Sequence, residues 1–182
     1  MSCLVTTGVG ITCAALTRVG GVNKRAYIYN LEELDAFGTD ANGYINNLVF
    51  TAYLGLYKYI SRKQAHSGGY TAQIQAPGGN KFYQHDVILK LFPDDPTEDE
   101  SLETLLVSCV GIILEDNNRE FRLYGLNNGM DQSEGVQNTG QEQASDVADS
   151  LTFFGNEPEI PKRVLINGSY ENTKAALDSW VF

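Results

Sequence analysis

Two histidines and three cysteines are the residues of this chain best suited to catalysis or metal binding. Their spacing assembles no site. His66 lies in the polar stretch Lys-Gln-Ala-His-Ser-Gly, and His85 lies inside a strand-like segment. Cys13 or Cys109 with His85 would make a nucleophile–base pair, yet no flanking signature accompanies either thiol. His85 and Asp86 are neighbours on a strand, so they point to opposite faces and form no dyad. Gly8-Val9-Gly10 and Gly78-Gly79 lack the Lys-Ser/Thr that a phosphate loop requires. Six acids between Asp94 and Glu103 have no convergent partners for a cation. Asp116-Asn117-Asn118 with Glu120 lacks the spacing and the distal Glu of a calcium loop. Cys3, Cys13 and Cys109 read as reduced thiols of a reducing compartment. These residues predict no enzyme, no cofactor and no metal.

The elements around them are those of a mainly β protein. The chain has 182 residues, enough for one domain with a core, and its 18 glycines, ten tyrosines and eight phenylalanines favour strands and turns. Residues 1–92 carry eight Lys/Arg and five Asp/Glu, a net of +3, and residues 93–182 carry five and eighteen, a net of −13. That excess of acid argues against a nucleic-acid-binding surface, which needs Lys and Arg to neutralise phosphates. No apolar run is long enough for a membrane span, and the start lacks the basic residues of a secretory signal.

Along the chain, residues 1–25 are glycine-rich and irregular, and Ala26–Asn30 reads as a short strand. Asn47–Ile60 alternates Leu48, Phe50, Ala52, Leu54 and Leu56 against Val49, Thr51, Tyr53, Gly55 and Tyr57. With apolar or aromatic residues on both faces, it predicts one long strand of roughly 40 Å covered on two sides. Tyr70–Ala76 and Lys81–Phe92, joined by Ala-Pro-Gly-Gly, predict a long hairpin. Thr97 and Glu100 have capping-box spacing, and Leu102, Leu105, Leu106 and Cys109 form a helical stripe, which predicts a helix over Thr97–Ser108.

A second hairpin spans Val110–Leu126. Asn117-Asn118 suits a type I′ turn that sets Leu114 against Phe121 and Ile112 against Leu123. Its acids, like those of the helix, are expected to cap or to face solvent. Gly125–Val147 reads as a polar excursion, with a long loop over about residues 127–145. Ser150–Gly155 and Arg163–Asn167 read as strands, and residues from about Glu171 to Ser179 as a short helix. The closing Trp180-Val181-Phe182 is apolar enough to dock on its own core or on a neighbour.

The order of these pieces carries a resemblance. Gly20-Gly21 with Lys24 precedes a strand, then come long hairpins and an acid-capped helix. Ile-Leu-Glu-Asp-Asn-Asn (113–118), Leu-Tyr-Gly-Leu-Asn-Asn-Gly (123–129), Thr139-Gly140 in a polar loop and Leu-Thr-Phe-Phe-Gly-Asn-Glu-Pro (151–158) follow. This pattern resembles tailed-bacteriophage tail tube proteins and their virion relatives. The resemblance implies a single-domain antiparallel β-sandwich or barrel, with long hairpins and one flanking helix. It implies stacked rings, commonly hexameric, whose hairpins join into an inner barrel that conducts DNA without binding it specifically. The expected partners are the protein itself and other tail proteins, with no membrane; the expected place is the virion, after assembly in the host cytoplasm. Phe50, Tyr53, Tyr57, Tyr83, Trp180 and Phe182 are the candidate subunit-interface residues. A tail terminator, connector ring, baseplate, decoration or injection-system part would share these features, and a small-ligand-binding β-barrel is the alternative outside virions.

Overall fold

Residues that alternate strictly between two apolar faces have to be covered on both sides, and β7 (Val110–Asp116) is the clearest case, buried at each position from Val110 to Glu115. The computed structural model describes residues 21–51, 55–62, 65–75, 80–92, 102–105, 107–138 and 148–182. Within these, β7 lies in a seven-stranded sheet. Its other members are β1 (Val22–Asn30), β2 (Leu34–Thr39), β3 (Ile45–Phe50), β4 (Tyr57–Ile60), β8 (Phe121–Tyr124) and β11 (Lys162–Val164), in the order β2-β3-β11-β8-β7-β1-β4. The second sheet has four strands, β5 (Ser67–Gln75), β6 (Asn80–Leu91), β10 (Ala148–Glu157) and β9 (Asp131–Asn138), in that spatial order.

The two sheets pack face to face as a β-sandwich, not a closed barrel. Ala26, Ile28, Ile112 and Leu114 of the large sheet meet Val87, Leu89, Leu151 and Phe153 of the small one. The alternate positions, Tyr27, Tyr29 and Ile113, face the other way into a second core. That core is closed by the C-terminal helix α1 (Tyr170–Ser179), through Leu177 and Ala176. Ser169 caps α1 by accepting a hydrogen bond from the Asn172 N–H at 3.2 Å. The fold therefore has three layers: small sheet, large sheet, helix. Pairing between the named strands is antiparallel except for Val164–Ile45 between β11 and β3, and the isolated bridge Leu56–Val181 is also parallel.

Several expectations change. Asn47–Ile60 is not one strand. β3 and β4 lie toward opposite sides of the large sheet, with Gly55 and Leu56 running against the C-terminus between them. A Cβ on Gly55 would sit 2.3 Å from the Trp180 carbonyl oxygen, so only glycine lets the chain pass there. The run is also not covered on two sides: Leu48 and Leu56 are buried, but Val49, Tyr57 and Ile60 are exposed. The β7–β8 hairpin pairs Leu114 with Arg122 and Ile112 with Tyr124, one residue away from the expected register. Asn117 and Asn118 do not take positive φ; Arg119 does, at 61°. The Asp116 carboxylate accepts from the Asn118 and Glu120 N–H groups at 2.8 and 2.9 Å, which favours a three-residue loop over a two-residue turn.

The polar stretch Gly125–Val147 contains a strand, β9, whose exposed polar residues suit a sheet edge. Of the expected Thr97–Ser108 helix, residues 102–105 are helical, with Leu105 buried and Leu102 packed on the inter-sheet core, while 107–108 have left the helix. Thr97–Ser101, Leu106, the segment 1–20 and the loop residues 139–147 lie outside the described residues. The short helix expected from about Glu171 to Ser179 is α1, which starts one residue earlier.

Candidate assembly surfaces

The small sheet is where this fold stays open. β5 has the sequence Ser-Gly-Gly-Tyr-Thr-Ala-Gln-Ile-Gln, with no charge and no proline, and forms one edge. Residues 67–72 and Ile74 are exposed. An uncharged edge of nine residues is a template for further strand pairing, because nothing in its sequence repels a partner. β9 forms the other edge and is exposed at 131 and 133–136. Because the four strands alternate in direction, the two edges run in opposite senses.

The β5–β6 hairpin also outruns the core. On β6 the core-facing positions His85, Val87, Leu89 and Leu91 are buried, but the next two toward the tip, Tyr83 and Lys81, are half-buried and exposed. Tyr70 and Ile74 share this face through the pairings Tyr70–His85 and Ile74–Lys81. Tyr70 and Tyr83 meet edge to face at 5.9 Å, and Ile74 is 70% exposed. On the opposite face of the sheet, Ile88, Val136 and Phe154 are exposed among Asp86, Lys90, Thr152 and Glu134.

The predicted interface residues divide between this hairpin and the C-terminal seam. Tyr83 is on the hairpin. Phe50 and Trp180 come together at 6.0 Å, and Phe50 also packs on Tyr29 at 5.5 Å, so much of their surface is used inside the fold. Phe182 stays in place because its N–H donates to the Leu56 carbonyl at 3.2 Å, yet its side chain is 70% exposed. Tyr57 is exposed on the edge strand β4. Tyr53 lies outside the described residues.

The expectation that the hairpin acids face solvent or cap fails for Glu115, which is buried, and Glu157 of β10 is buried as well. Glu115 accepts from Arg25 Nη1 at 2.8 Å and from the Tyr170 hydroxyl at 2.6 Å, tying β1, β7 and α1 together. At the far end of the helix, Asp178 accepts from Lys58 at 2.6 Å, Tyr27 at 3.0 Å and Lys174 at 3.2 Å. Burial pushes the Asp178 carboxyl up, but those three donors outweigh it and hold it below its ordinary value. Burial and the bond to Glu115 raise the Tyr170 phenol to about 12. Glu157 accepts from the N–H groups of Asn127 and Asn128, at 3.2 and 2.8 Å, and pins the turn after β8. A burial parity shared with Ile113 was the one sequence signal for Glu115.

The chain matches no protein-family model, no curated protein and no solved structure.

Cys3 and Cys13 lie outside the described residues; His85, His66 and Cys109 lie within them. His85 is buried, its Nδ1 accepting from the Gly125 N–H at 3.3 Å and its Nε2–H facing the Glu159 carbonyl at 2.9 Å. Burial lowers its pKa, which favours this neutral tautomer. His66, expected in a polar loop, is buried, and its Nδ1 accepts from the Lys90 N–H at 3.2 Å. Burial and the neighbouring Asp131 raise the Cys109 thiol, which lowers the thiolate fraction a nucleophile needs. Among the described residues no group of three His, Cys, Asp or Glu could hold a metal, and no helix is long and apolar enough to cross a membrane.

Proposed function

We propose that this chain is a structural virion protein, a tail tube protomer that joins copies of itself into stacked rings around a conduit for phage DNA. The observation that carries this reading is the four-stranded sheet, whose two oppositely directed edges, one of them uncharged, pair with no other strand among the described residues. Rotating a copy about a ring axis brings its β9 antiparallel to β5 of the next copy. The ladder then continues across the boundary, and a closed ring leaves no edge. The overrunning hairpin with Tyr70, Ile74 and Tyr83 supplies apolar surface for the neighbour, and Tyr57 and Phe182 supply more at the other sheet.

In such a ring the small sheet's outward face lines the conduit. It carries Asp86 and Glu134 against Lys90 among the described residues, beside uncharged Thr152, Ile88 and Phe154. A surface this poor in Lys and Arg gives passing phosphates little to bind. Lys58 is in the large sheet, bound to Asp178, and so stays off this face. Negative-stain microscopy of the purified protein tests the reading: rings or tubes are expected, and a monomer that persists at high concentration overturns it. Closed single rings that never polymerise point to a terminator or connector ring instead.

A further inference from the structure

A cavity of about 140 Å³ opens between the 117–119 loop, β11 and the first turn of α1. Its apolar and aromatic wall is formed by Tyr44, Phe121, Val164, Leu165 and Tyr170, and Glu120 and Thr173 also line it. The Phe121 and Tyr170 rings stack at 5.4 Å with 13° between their planes, which makes a flat, fixed wall. Arg119 and Arg163 also line this cavity. Each faces only a distant carboxylate: Arg163 Nε lies 3.6 Å from Glu120 Oε2, and Arg119 Nη1 lies 3.9 Å from Glu171 Oε1. Both separations exceed hydrogen-bonding distance, so the planar forks keep donors available. Glu120 is further shared with Arg122 at 3.5 Å, which leaves its charge more than matched. The Arg119 guanidinium lies over the Tyr170 ring at 5.6 Å, at the mouth of the cavity, while its side chain stays 74% exposed.

We propose that this cavity receives a single carboxylate on a short apolar stem, with Arg119 and Arg163 holding the anion and the Phe121–Tyr170 stack holding the stem. Its size sets the scale of the ligand. Pockets for free drug-sized ligands run to about 300–1,000 Å³, whereas this volume suits a group the size of one side chain. Guanidinium forks match a carboxylate in plane and charge, and the apolar walls reject a fully hydrated ion. A glutamate side chain of another copy and a free short-chain carboxylate present the same chemistry. The site stands apart from the open sheet edges, so it does not depend on the tube reading.

The test follows the ring resonances of Tyr44 and Tyr170 by NMR while propionate, and in parallel the neutral isostere propionamide, is added to the full chain. Saturable shifts are expected with propionate and not with propionamide. Arg119→Met and Arg163→Met should each weaken propionate binding roughly tenfold, the loss expected for one charge-assisted hydrogen bond. No saturable shift, equal response to both probes, or unchanged affinity in the folded double variant overturns the proposal. Because the two probes are compared on the native chain, the outcome does not depend on a variant folding. Sedimentation of the double variant then distinguishes the sources: weakened self-association assigns the carboxylate to a second copy, and unchanged self-association, with propionate bound by the native chain and not by the double variant, assigns it to a free ligand.

Discussion

The seven-stranded and four-stranded sheets of this protein are built from similar residues but are finished differently. The large sheet is covered on one face by the small sheet and on the other by α1, which is fastened at both ends by buried or half-buried carboxylates. Among the described residues the small sheet is covered on one face only, and no strand pairs with either of its edges. Stability therefore concentrates in the large sheet, and opportunity for partners concentrates in the small one. Side chains that satisfy each other inside a fold are poor candidates for binding, whereas an unpaired backbone edge carries free donors and acceptors toward solvent.

That contrast can be attacked at several strengths. Phe153, fully buried where the sheets meet, should cost about 3–5 kcal/mol as Phe153→Ala, read by urea unfolding. A loss under about 1 kcal/mol would show that the sheets do not share a core. Glu115→Ala should cost about 3 kcal/mol, because it strands Arg25 and Tyr170 without their common acceptor. Melting close to that of the native chain would remove Glu115 from its fastening role.

A pH titration asks the same question without mutation. The Tyr170 phenol is raised from 10.0 to about 12, so its contribution is complete below pH 10 and is lost as pH rises through about 12. Asp178 is lowered, so its contribution holds above the ordinary carboxylate range and is lost as acid reaches its depressed value. Helix α1 should thus loosen at both extremes; tyrosinate absorbance and the near-ultraviolet circular dichroism of Trp180 report it. A Tyr170 transition at the pH of a free phenol would contradict the bond to Glu115. The smallest change in stability, within about 0.5 kcal/mol, is expected for Ile74→Lys on the exposed hairpin. The same substitution should abolish self-association in sedimentation, and undiminished rings would remove the hairpin from the interface.

Much of the small sheet was legible in the chain. The Ala-Pro-Gly-Gly turn and its flanking runs located β5 and β6, since turn chemistry and period-2 alternation are both local. The closing helix was located as well, within a residue. The Asn47–Ile60 run misled because two-sided apolar character has more than one cause. One long buried strand, or two short strands with a buried crossing, satisfies it equally, and only the distant partners β1, β2 and the C-terminus decide. The polar β9 was hidden because an edge strand needs no apolar alternation to pair with β10. Aromatic type picked out Tyr57, Tyr83 and Phe182, which keep exposed surface, but it picked out Phe50 and Trp180 equally, and those two pack within the fold.

The sequence by itself determined a mainly β chain with a long charge-free hairpin strand, an apolar C-terminus and no constellation for catalysis. Periodicity, turn residues and missing motifs are properties of neighbours along the chain, so they survive without coordinates. The tertiary structure alone decided which acids are buried, which sheet keeps open edges, and that two arginines from different elements line one cavity. Those facts depend on contacts between residues as far apart as Arg25 and Glu115 or Tyr27 and Asp178, where sequence spacing sets no distance.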